Sequence, residues 1–325
     1  MKTDIPVPLA GSRDAALCVR VPVLSSGLCP EPKVQTMPLS RRATIAGLAA
    51  LALSSPRALA EDAGDLALLL TGLETDLGGR IGLACIRTGS DRRTLWRGDE
   101  RFPMASTFKL LLAAATLARI DAGLEPGDRA LPIGPSDPVG HSPVTAAHVG
   151  GSLTLTQLCA ATVTDSDNGA ANLLLASMDG PAGFTDWLRG TGDVVTRLDR
   201  IEPAMSEATP GDPRDTTSPA AMAETMQRLL LGPVLLPDRR AQLIGWMRDS
   251  QTGLTRIRAG LPEGWQAGDK TGTGGHGSVN DVAILFPPGQ APWFLCLYLT
   301  GTTAPRAEAE AAMADITRRL ASDIS

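Results

Sequence analysis

Apolar residues recur at regular spacing along most of the chain after residue 60. Between residues 61 and 77 they fall three or four positions apart, a spacing typical of a helix with one buried face. Segments 80–89 and 94–98 then have strand composition and are separated by a Gly-Ser-Asp turn. The pattern therefore predicts a helix followed by a β-hairpin at the start of the folded region.

The middle of the chain has helical spacing and the end has strand composition. A strongly apolar helix is predicted from Ser106 to Ala122. Five more helical segments follow, at 155–163, 170–178, 183–190, 219–231 and 239–247. After residue 263 come three strands and a closing helix, at 265–275, 278–287, 292–301 and 307–321. Strands from both ends of the chain thus enclose a helical block.

This order of elements predicts an α/β plus all-α fold class, with an antiparallel sheet flanked by helices and an inserted helical domain. We expect residues 61–97 and 250–325 to form the α/β domain and residues 98–249 the helical domain. A cleft at their junction is the expected place for chemistry. The longest irregular stretches, 125–152 and 191–217, are long enough to be functional loops.

The segment before the folded region reads as an export signal. In residues 37–60 a pair of arginines, Arg41 and Arg42, precedes a short apolar run and a small-residue ending. The pair resembles a twin-arginine signal, the bacterial route for folded proteins, and predicts a periplasmic protein without a membrane anchor. Residues 1–36 show no readable pattern, so we interpret them as a non-native extension upstream of a start at Met37.

Composition narrows the function classes. The chain is 43% hydrophobic and 20% charged, as in ordinary globular proteins, and its net charge of −5 does not favour nucleic acid. Three cysteines follow the signal, Cys85, Cys159 and Cys296, without paired or metal-binding spacing. We therefore expect no metal, no cofactor and no required disulfide.

Lysine usage is unusual. The chain has only four lysines among its 30 basic residues, and only Lys109 and Lys270 follow the export signal. Arginine stays protonated in proteins, whereas a buried lysine can lose its proton and act as a base. Both lysines are therefore candidates for chemistry.

Each lysine lies in a motif with a hydroxyl. Ser106 precedes Lys109 by three residues at the start of the apolar helix, which places a nucleophile and a base on one helical face. Lys270 opens the run Lys270–Gly274 (KTGTG) on a predicted strand, and a third motif, Ser166–Asn168 (SDN), lies between two predicted helices. Taken singly, Ser106 could be a helix cap, the Ser166–Asn168 motif a cap of the helix that follows it, and the glycine-rich run a hairpin. In this order, the three motifs are the set of penicillin-binding proteins and class A β-lactamases.

Over residues 62–325 the chain resembles the class A serine β-lactamases, and a fourth motif, Arg200–Pro203 (RIEP), separates a hydrolase from a peptidase. The resemblance implies that Glu202 lies on an omega-type loop, residues 197–217, and holds the hydrolytic water. It also implies that an ion pair of Arg200 with Asp215 braces this loop. The alternative interpretation makes Glu202 a solvated loop carboxylate.

The resemblance assigns the remaining roles. Ser106 attacks the lactam carbonyl, the N–H groups of Ser106 and Thr273 form the oxyanion hole, and Ser166 relays a proton to the leaving nitrogen. Lys109 and Lys270 complete the catalytic set, and either Lys109 or Glu202 is the base in acylation. The expected substrate-binding residues are Asn168, Thr271, Gly272, Thr273, Arg256 and His141.

The chain also departs from the family. Ser206 stands where an asparagine usually completes the water site, so we expect it to position the water differently and to change deacylation. The common helix disulfide is missing because Cys159 faces Ala113. The substrate spectrum, carbapenems included, stays open.

The predicted function is hydrolysis of penicillin- and cephalosporin-type antibiotics through a Ser106 acyl-enzyme, which confers resistance. The expected partner is a small-molecule β-lactam, with no nucleic acid, no stable membrane association and a monomeric state. A Ser-His-Asp hydrolase is disfavoured because none of the three histidines lies in a nucleophile-elbow motif. A D,D-peptidase would lack the Glu202 loop, and a β-lactam sensor would need a membrane helix.

Overall fold

The computed structural model describes residues 56–90 and 92–322, with side chains from Gly64 onward. The predicted upstream extension, residues 1–36, and residues 37–55 of the predicted export signal lie outside the described residues. Within the described part, no helix combines the length and the apolar character needed to cross a membrane.

The described residues contain nine strands and nine α-helices. The strands are β1 (Arg80–Arg87), β2 (Arg93–Trp96), β3 (Phe102–Pro103), β4 (Ala130–Pro132), β5 (Ser152–Thr154), β6 (Thr216–Thr217), β7 (Gln266–Gly274), β8 (Ser278–Phe286) and β9 (Trp293–Thr300). The helices are α1 (Pro56–Leu77), α2 (Phe108–Asp121), α3 (Pro143–Ala147), α4 (Leu155–Thr164), α5 (Asn168–Ala176), α6 (Gly180–Gly190), α7 (Pro219–Leu230), α8 (Pro237–Asp249) and α9 (Arg306–Ser322). Short 3₁₀ turns occur at Ala105–Thr107, Ala204–Ser206 and Ile257–Gly260.

Five strands form the main sheet in the order β2-β1-β9-β8-β7, and all neighbouring pairs are antiparallel. The pairing of β1 with β9 joins the beginning and the end of the folded region, as the sequence predicts. Strand β7 is at one edge of the sheet, and it contacts the 3₁₀ turn at Ala105–Thr107.

The sheet is buried on both faces. Along β9, Phe294, Cys296 and Tyr298 enter the core shared with the helical block, and the intervening Leu295 and Leu297 enter a second core with α1 and α9. A strand covered on both sides needs apolar residues at successive positions, which accounts for its unbroken apolar run.

The middle of the chain is less purely helical than the pattern predicts. Strand β3 pairs with β6, and β4 pairs with β5, within or beside the helical block. The predicted helix at Ser106 begins two residues later, at Phe108, because Ala105 has a φ of +43° and the next residues form a 3₁₀ turn. Strands of two or three residues are too short to show a period of two.

Candidate active site

A cleft of about 650 Å³ contains most of the predicted site residues. Its lining includes Ser106, His141, Ser166, Asn168, Glu202, Ser206, Arg256, Thr271 and Thr273. The side chains of Lys109 and Lys270 are fully buried beside it. Gly272 lies within β7, whereas Arg200 and Asp215 lie behind the cleft in the 197–217 loop. The structure thus brings residues from four distant segments to one site.

Ser106 occupies the 3₁₀ turn that leads into α2. The cap positions of the turn and the helix are Met104 and Thr107, so the interpretation of Ser106 as a cap is wrong. Its Oγ donates toward Oε1 of Glu202 at 3.5 Å. The hydroxyl therefore faces a carboxylate and sits at the positive end of a helix.

The Lys109 ammonium contacts three other site residues. Its Nζ donates to the carbonyl oxygen of Ser166 at 2.7 Å and to Oδ1 of Asn168 at 2.5 Å, and it lies 3.2 Å from Oε1 of Glu202. Burial lowers the pKa of Lys109, against the opposing attraction of the Glu202 carboxylate. A lysine with a lowered pKa gives up its proton to a neighbour more easily than a solvated lysine does.

Ser166 is presented to the cleft by its backbone, which has a φ of +59°. The cap of α5 is the next residue, Asp167, whose side chain accepts from the N–H of Ala170 at 2.8 Å. The motif does cap α5, as its alternative interpretation predicts, but the capping residue is Asp167 and not Ser166. Its hydroxyl accepts instead from Nζ of Lys270 at 3.0 Å.

Lys270 lies at the centre of β7, where its Nζ also donates to the carbonyl oxygen of Thr271 at 2.9 Å. Burial, and secondly the nearby charge of Lys109, lower the pKa of Lys270 to about 7. Two amines thus meet at Ser166, Lys109 at its carbonyl oxygen and Lys270 at its hydroxyl.

Glu202 is only 3% exposed, so it is not a solvated loop carboxylate. Its Oε2 accepts from Oγ of Ser206 at 3.0 Å. Its backbone is held by Asn172, which donates to the Glu202 carbonyl oxygen at 2.9 Å and accepts from the Glu202 N–H at 3.0 Å. The sequence analysis missed Asn172, although its place four residues after Asn168 puts both amides on one face of α5.

Two contacts fix the 197–217 loop that carries Glu202. Asp215, which is 1% exposed, accepts from Nε of Arg200 at 2.6 Å. At the other side, the N–H of Gly275 donates to the carbonyl oxygen of Ser206 at 2.9 Å, and a side chain at Gly274 would lie 2.8 Å from the same oxygen. The loop is therefore closed on itself and packed against the end of β7.

Strand β7 also approaches the Ser106 turn closely. A Cβ atom at Gly272 would lie 2.7 Å from the carbonyl oxygen of Met104 and 3.2 Å from the nitrogen of Ser106. Only glycine fits at this position without displacing the nucleophile segment.

Hydroxyl groups line the cleft beyond Lys270. Thr271 donates to the hydroxyl of Thr252 at 2.7 Å, a contact that the sequence analysis missed. Thr273 accepts from Nη2 of Arg256 at 2.8 Å. The Arg256 guanidinium is buried, so it acts on the cleft through Thr273. His141 is exposed at the rim, and its Nε2 lies 2.9 Å from the carbonyl oxygen of Asp165.

The arrangement is suited to acyl transfer. A serine hydroxyl faces a carboxylate, a buried lysine contacts the same carboxylate, and a second hydroxyl is held by another lysine. A nucleophile with adjacent proton acceptors and a separate proton donor meets the requirements of a serine hydrolase that forms a covalent intermediate.

Comparisons with known proteins agree with this class. Residues 66–324 match the family model described as the beta-lactamase enzyme family. The chain is 45% identical to beta-lactamase CTX-M-8 of Citrobacter amalonaticus over 238 residues, 73% of this chain and 82% of the relative. It is 42% identical to CTX-M-25 of Escherichia coli over 265 residues, 82% of this chain and 91% of the relative. The solved ancestral GNCA class A beta-lactamase has a TM-score of 0.78 and 53% identity, covering 79% of this chain and 99% of that one.

The chain therefore belongs to the β-lactamase enzyme family, among its class A serine-type hydrolases. The predicted fold class is confirmed, as is the predicted function at this level: β-lactam hydrolysis through a serine acyl-enzyme, with the antibiotic resistance that it confers.

Proposed function

We propose that Ser106 is the acylated nucleophile and that Glu202 activates the deacylating water. The observation that carries the proposal is the position of Glu202 Oε1, within 3.5 Å of Ser106 Oγ and 3.2 Å of Lys109 Nζ. A carboxylate at this distance can hold a water beside the acylated serine. A penicillin-binding D,D-peptidase would need no such group.

In acylation, the Ser106 hydroxyl loses its proton to Glu202 or Lys109. Both bases remain open, because Glu202 Oε1 lies 3.5 Å from Ser106 Oγ and 3.2 Å from Lys109 Nζ. The N–H groups of Ser106 and Thr273 stabilise the developing oxyanion. Ser166 passes a proton to the leaving lactam nitrogen. The hydrogen bond from Lys270 to the Ser166 hydroxyl supports this relay.

In deacylation, Glu202 removes a proton from the water that attacks the ester. Ser206 holds the second oxygen of the carboxylate and so helps to direct the first oxygen toward the water. The Arg200–Asp215 pair and Asn172 keep Glu202 in place from behind.

The substrate carboxylate binds beside β7. Lys270 supplies positive charge, and Thr271 and Thr273 supply hydroxyl groups. Arg256 supports Thr273, and Gly272 allows the close approach of β7. Asn168 and His141 contact the remainder of the substrate from the opposite wall.

We further propose that residues 37–60 direct export to the periplasm by the twin-arginine route and that the protein acts as a monomer. Residues 61–97 and 250–325 act as the α/β domain and residues 98–249 as the helical domain. The 197–217 segment is the omega-type loop of the helical domain.

The test mixes the purified protein with a chromogenic cephalosporin and counts product per enzyme. Many turnovers are expected for the natural protein, and a single stoichiometric burst with a covalent adduct on Ser106 for Glu202→Ala. Glu263→Ala, an exposed loop glutamate outside the cleft, is the matched control and keeps full turnover. Undiminished turnover by Glu202→Ala would refute the assignment of this residue.

A further inference from the structure

Asn280 is a buried polar residue of β8 that has no role in the proposed reaction. It is 1% exposed and pairs with Gly272 of β7 in the antiparallel register, so both positions face the same side of the sheet. On that side a Cβ atom at Gly272 would lie 2.7 Å from the carbonyl oxygen of Met104. Asn280 therefore directs its amide at the segment that leads to the nucleophile, Ser106.

Both N–H groups of the Asn280 amide are engaged by this segment. Nδ2 donates to the carbonyl oxygen of Pro103 at 2.9 Å and to the carbonyl oxygen of Met104 at 3.0 Å. A primary amide has two N–H donors, so these contacts use both of them. The reverse orientation would place Oδ1 against the same two carbonyl oxygens, and the contacts therefore fix the direction of the amide.

The other end of the amide is left without a partner. Oδ1 of Asn280 is buried and accepts no hydrogen bond from the residues that the structure describes. An unpaired buried carbonyl oxygen is destabilising, and such groups are rare in native proteins. The side chain is thus better explained by what its two donors hold than by its own contribution to stability.

The turn that these donors hold is strained. Ala105 has a φ of +43°, a left-handed conformation that is unfavourable for any residue with a Cβ atom. The carbonyl oxygen of Met104, directly before it, also accepts from the N–H of Thr107 at 3.2 Å and from the Thr107 hydroxyl at 2.9 Å. Three donors thus converge on one oxygen of the turn that contains Ser106, and they oppose its relaxation.

We propose that Asn280 is a positioning residue that holds this turn in its left-handed form and so places the hydroxyl and the N–H of Ser106 for acylation. The inference rests on the proposed function, in which Ser106 is the nucleophile and its N–H belongs to the oxyanion hole. Asn280 is not among the residues that line the cleft. Its amide therefore acts on the reaction through Ser106 and not through the substrate.

Substitutions can remove the two donors without disturbing the cleft. Asn280→Leu keeps the volume of the side chain and lacks both donors, and Asn280→Ala lacks the donors and the volume. The backbone carbonyl oxygen at this position, which accepts from Nη1 of Arg256 at 2.6 Å, is present in both variants. Thr225→Val is the matched control, because it removes a buried hydrogen bond outside the cleft, from Oγ1 of Thr225 to Oδ2 of Asp193 at 2.8 Å.

The experiment mixes an excess of enzyme with a chromogenic cephalosporin in a stopped-flow instrument. In a single turnover the colour change follows the opening of the lactam ring. Its dependence on enzyme concentration gives the dissociation constant of the substrate and the rate constant of acylation. For Asn280→Leu we expect the acylation rate constant to fall at least about tenfold, because a nucleophile tolerates little displacement, and the dissociation constant to stay within about twofold. Thr225→Val should lower Tm and leave both constants unchanged.

An unchanged acylation rate constant in Asn280→Leu, a loss explained entirely by weaker substrate binding, or an equal loss in Thr225→Val would overturn the inference. If Asn280→Leu does not fold, Asn280→Ala decides by the same measurement, and loss of folding in both would make the residue structural and overturn the inference too. Each of these results leaves the covalent adduct on Ser106 of the natural protein intact, so the proposed function would stand. Absence of that adduct would instead refute the proposed function, and this inference with it.

Discussion

Exchanging one carboxylate oxygen of Asp215 for an amide nitrogen should weaken its ion pair with Arg200, which stabilises the loop that carries Glu202. Asp215→Asn keeps the size of the side chain and one oxygen. That oxygen can still accept from the N–H groups of Asp199 and Arg200, as Oδ1 now does at 2.7 and 3.0 Å. The new amide nitrogen faces Nε of Arg200, which the present Oδ2 accepts at 2.6 Å. The substitution therefore removes one charge-assisted hydrogen bond and leaves two N–H donors, one from Arg200 and one from the new amide, facing each other.

Losing a hydrogen bond to a charged group costs about 1.5–3 kcal/mol. Leaving a buried charge entirely unpaired costs ~3–5 kcal/mol, but Arg200 keeps a second carboxylate, Glu207, at 2.5 Å. We therefore expect Asp215→Asn to lower the free energy of unfolding by about 2 kcal/mol and Tm by roughly 4–8 °C. We also expect kcat to fall about tenfold, because Glu202 is less firmly positioned.

Thermal unfolding followed by circular dichroism, together with steady-state hydrolysis, checks both effects. The control is Glu207→Gln, which removes the other carboxylate from the same guanidinium. Because the side chain of Glu207 is 55% exposed, its loss should cost only ~0–1 kcal/mol. If Asp215→Asn lowered Tm no more than Glu207→Gln, the brace would not depend on the buried partner and the reasoning would be wrong.

Three further substitutions or conditions test other parts of the site. Ser206→Asn should raise kcat for a penicillin at least about threefold, because an amide can hold both Glu202 and a water; unchanged steady-state constants would contradict a water-positioning role. Since the pKa of Lys270 is lowered to about 7, its ammonium loses its charge as the pH rises through that value, and kcat/KM for an anionic substrate should fall there. The matched variant Lys270→Arg stays charged and should lack this step; a step that persists would assign the titration to another group. Gly272→Ala should lower kcat/KM about 100-fold, because its Cβ would displace β7 from the turn that holds Ser106; a near-normal value in single-turnover acylation would show that the turn can adjust.

The parts of the site that could be predicted from the sequence are those encoded locally. Ser106 and Lys109 share a short motif, and the scarcity of lysine marks both Lys109 and Lys270 without any motif. The long helices follow from apolar spacing, and β9 follows from its nearly continuous apolar run, since each of these patterns extends over many residues.

The remaining features depend on contacts between distant segments. The side chain that holds the Glu202 backbone is Asn172, thirty residues earlier in the chain, and its only local signal is its place four residues after Asn168 on the same face of α5. Asn280 meets the carbonyl oxygen of Met104 only because β8 packs beside the 3₁₀ turn at Ala105–Thr107. The turn at Ser106 requires a left-handed Ala105, a conformation that alanine does not favour and that only the surrounding structure imposes.

The pairing of β1 with β9 bears on when the protein can fold. The ribosome completes β1 near the start of the folded region, yet its neighbour β9 is made almost last. The main sheet therefore cannot close until synthesis is nearly finished, and contacts so distant in sequence form slowly. During that interval β1 and its hairpin partner expose apolar residues that invite aggregation.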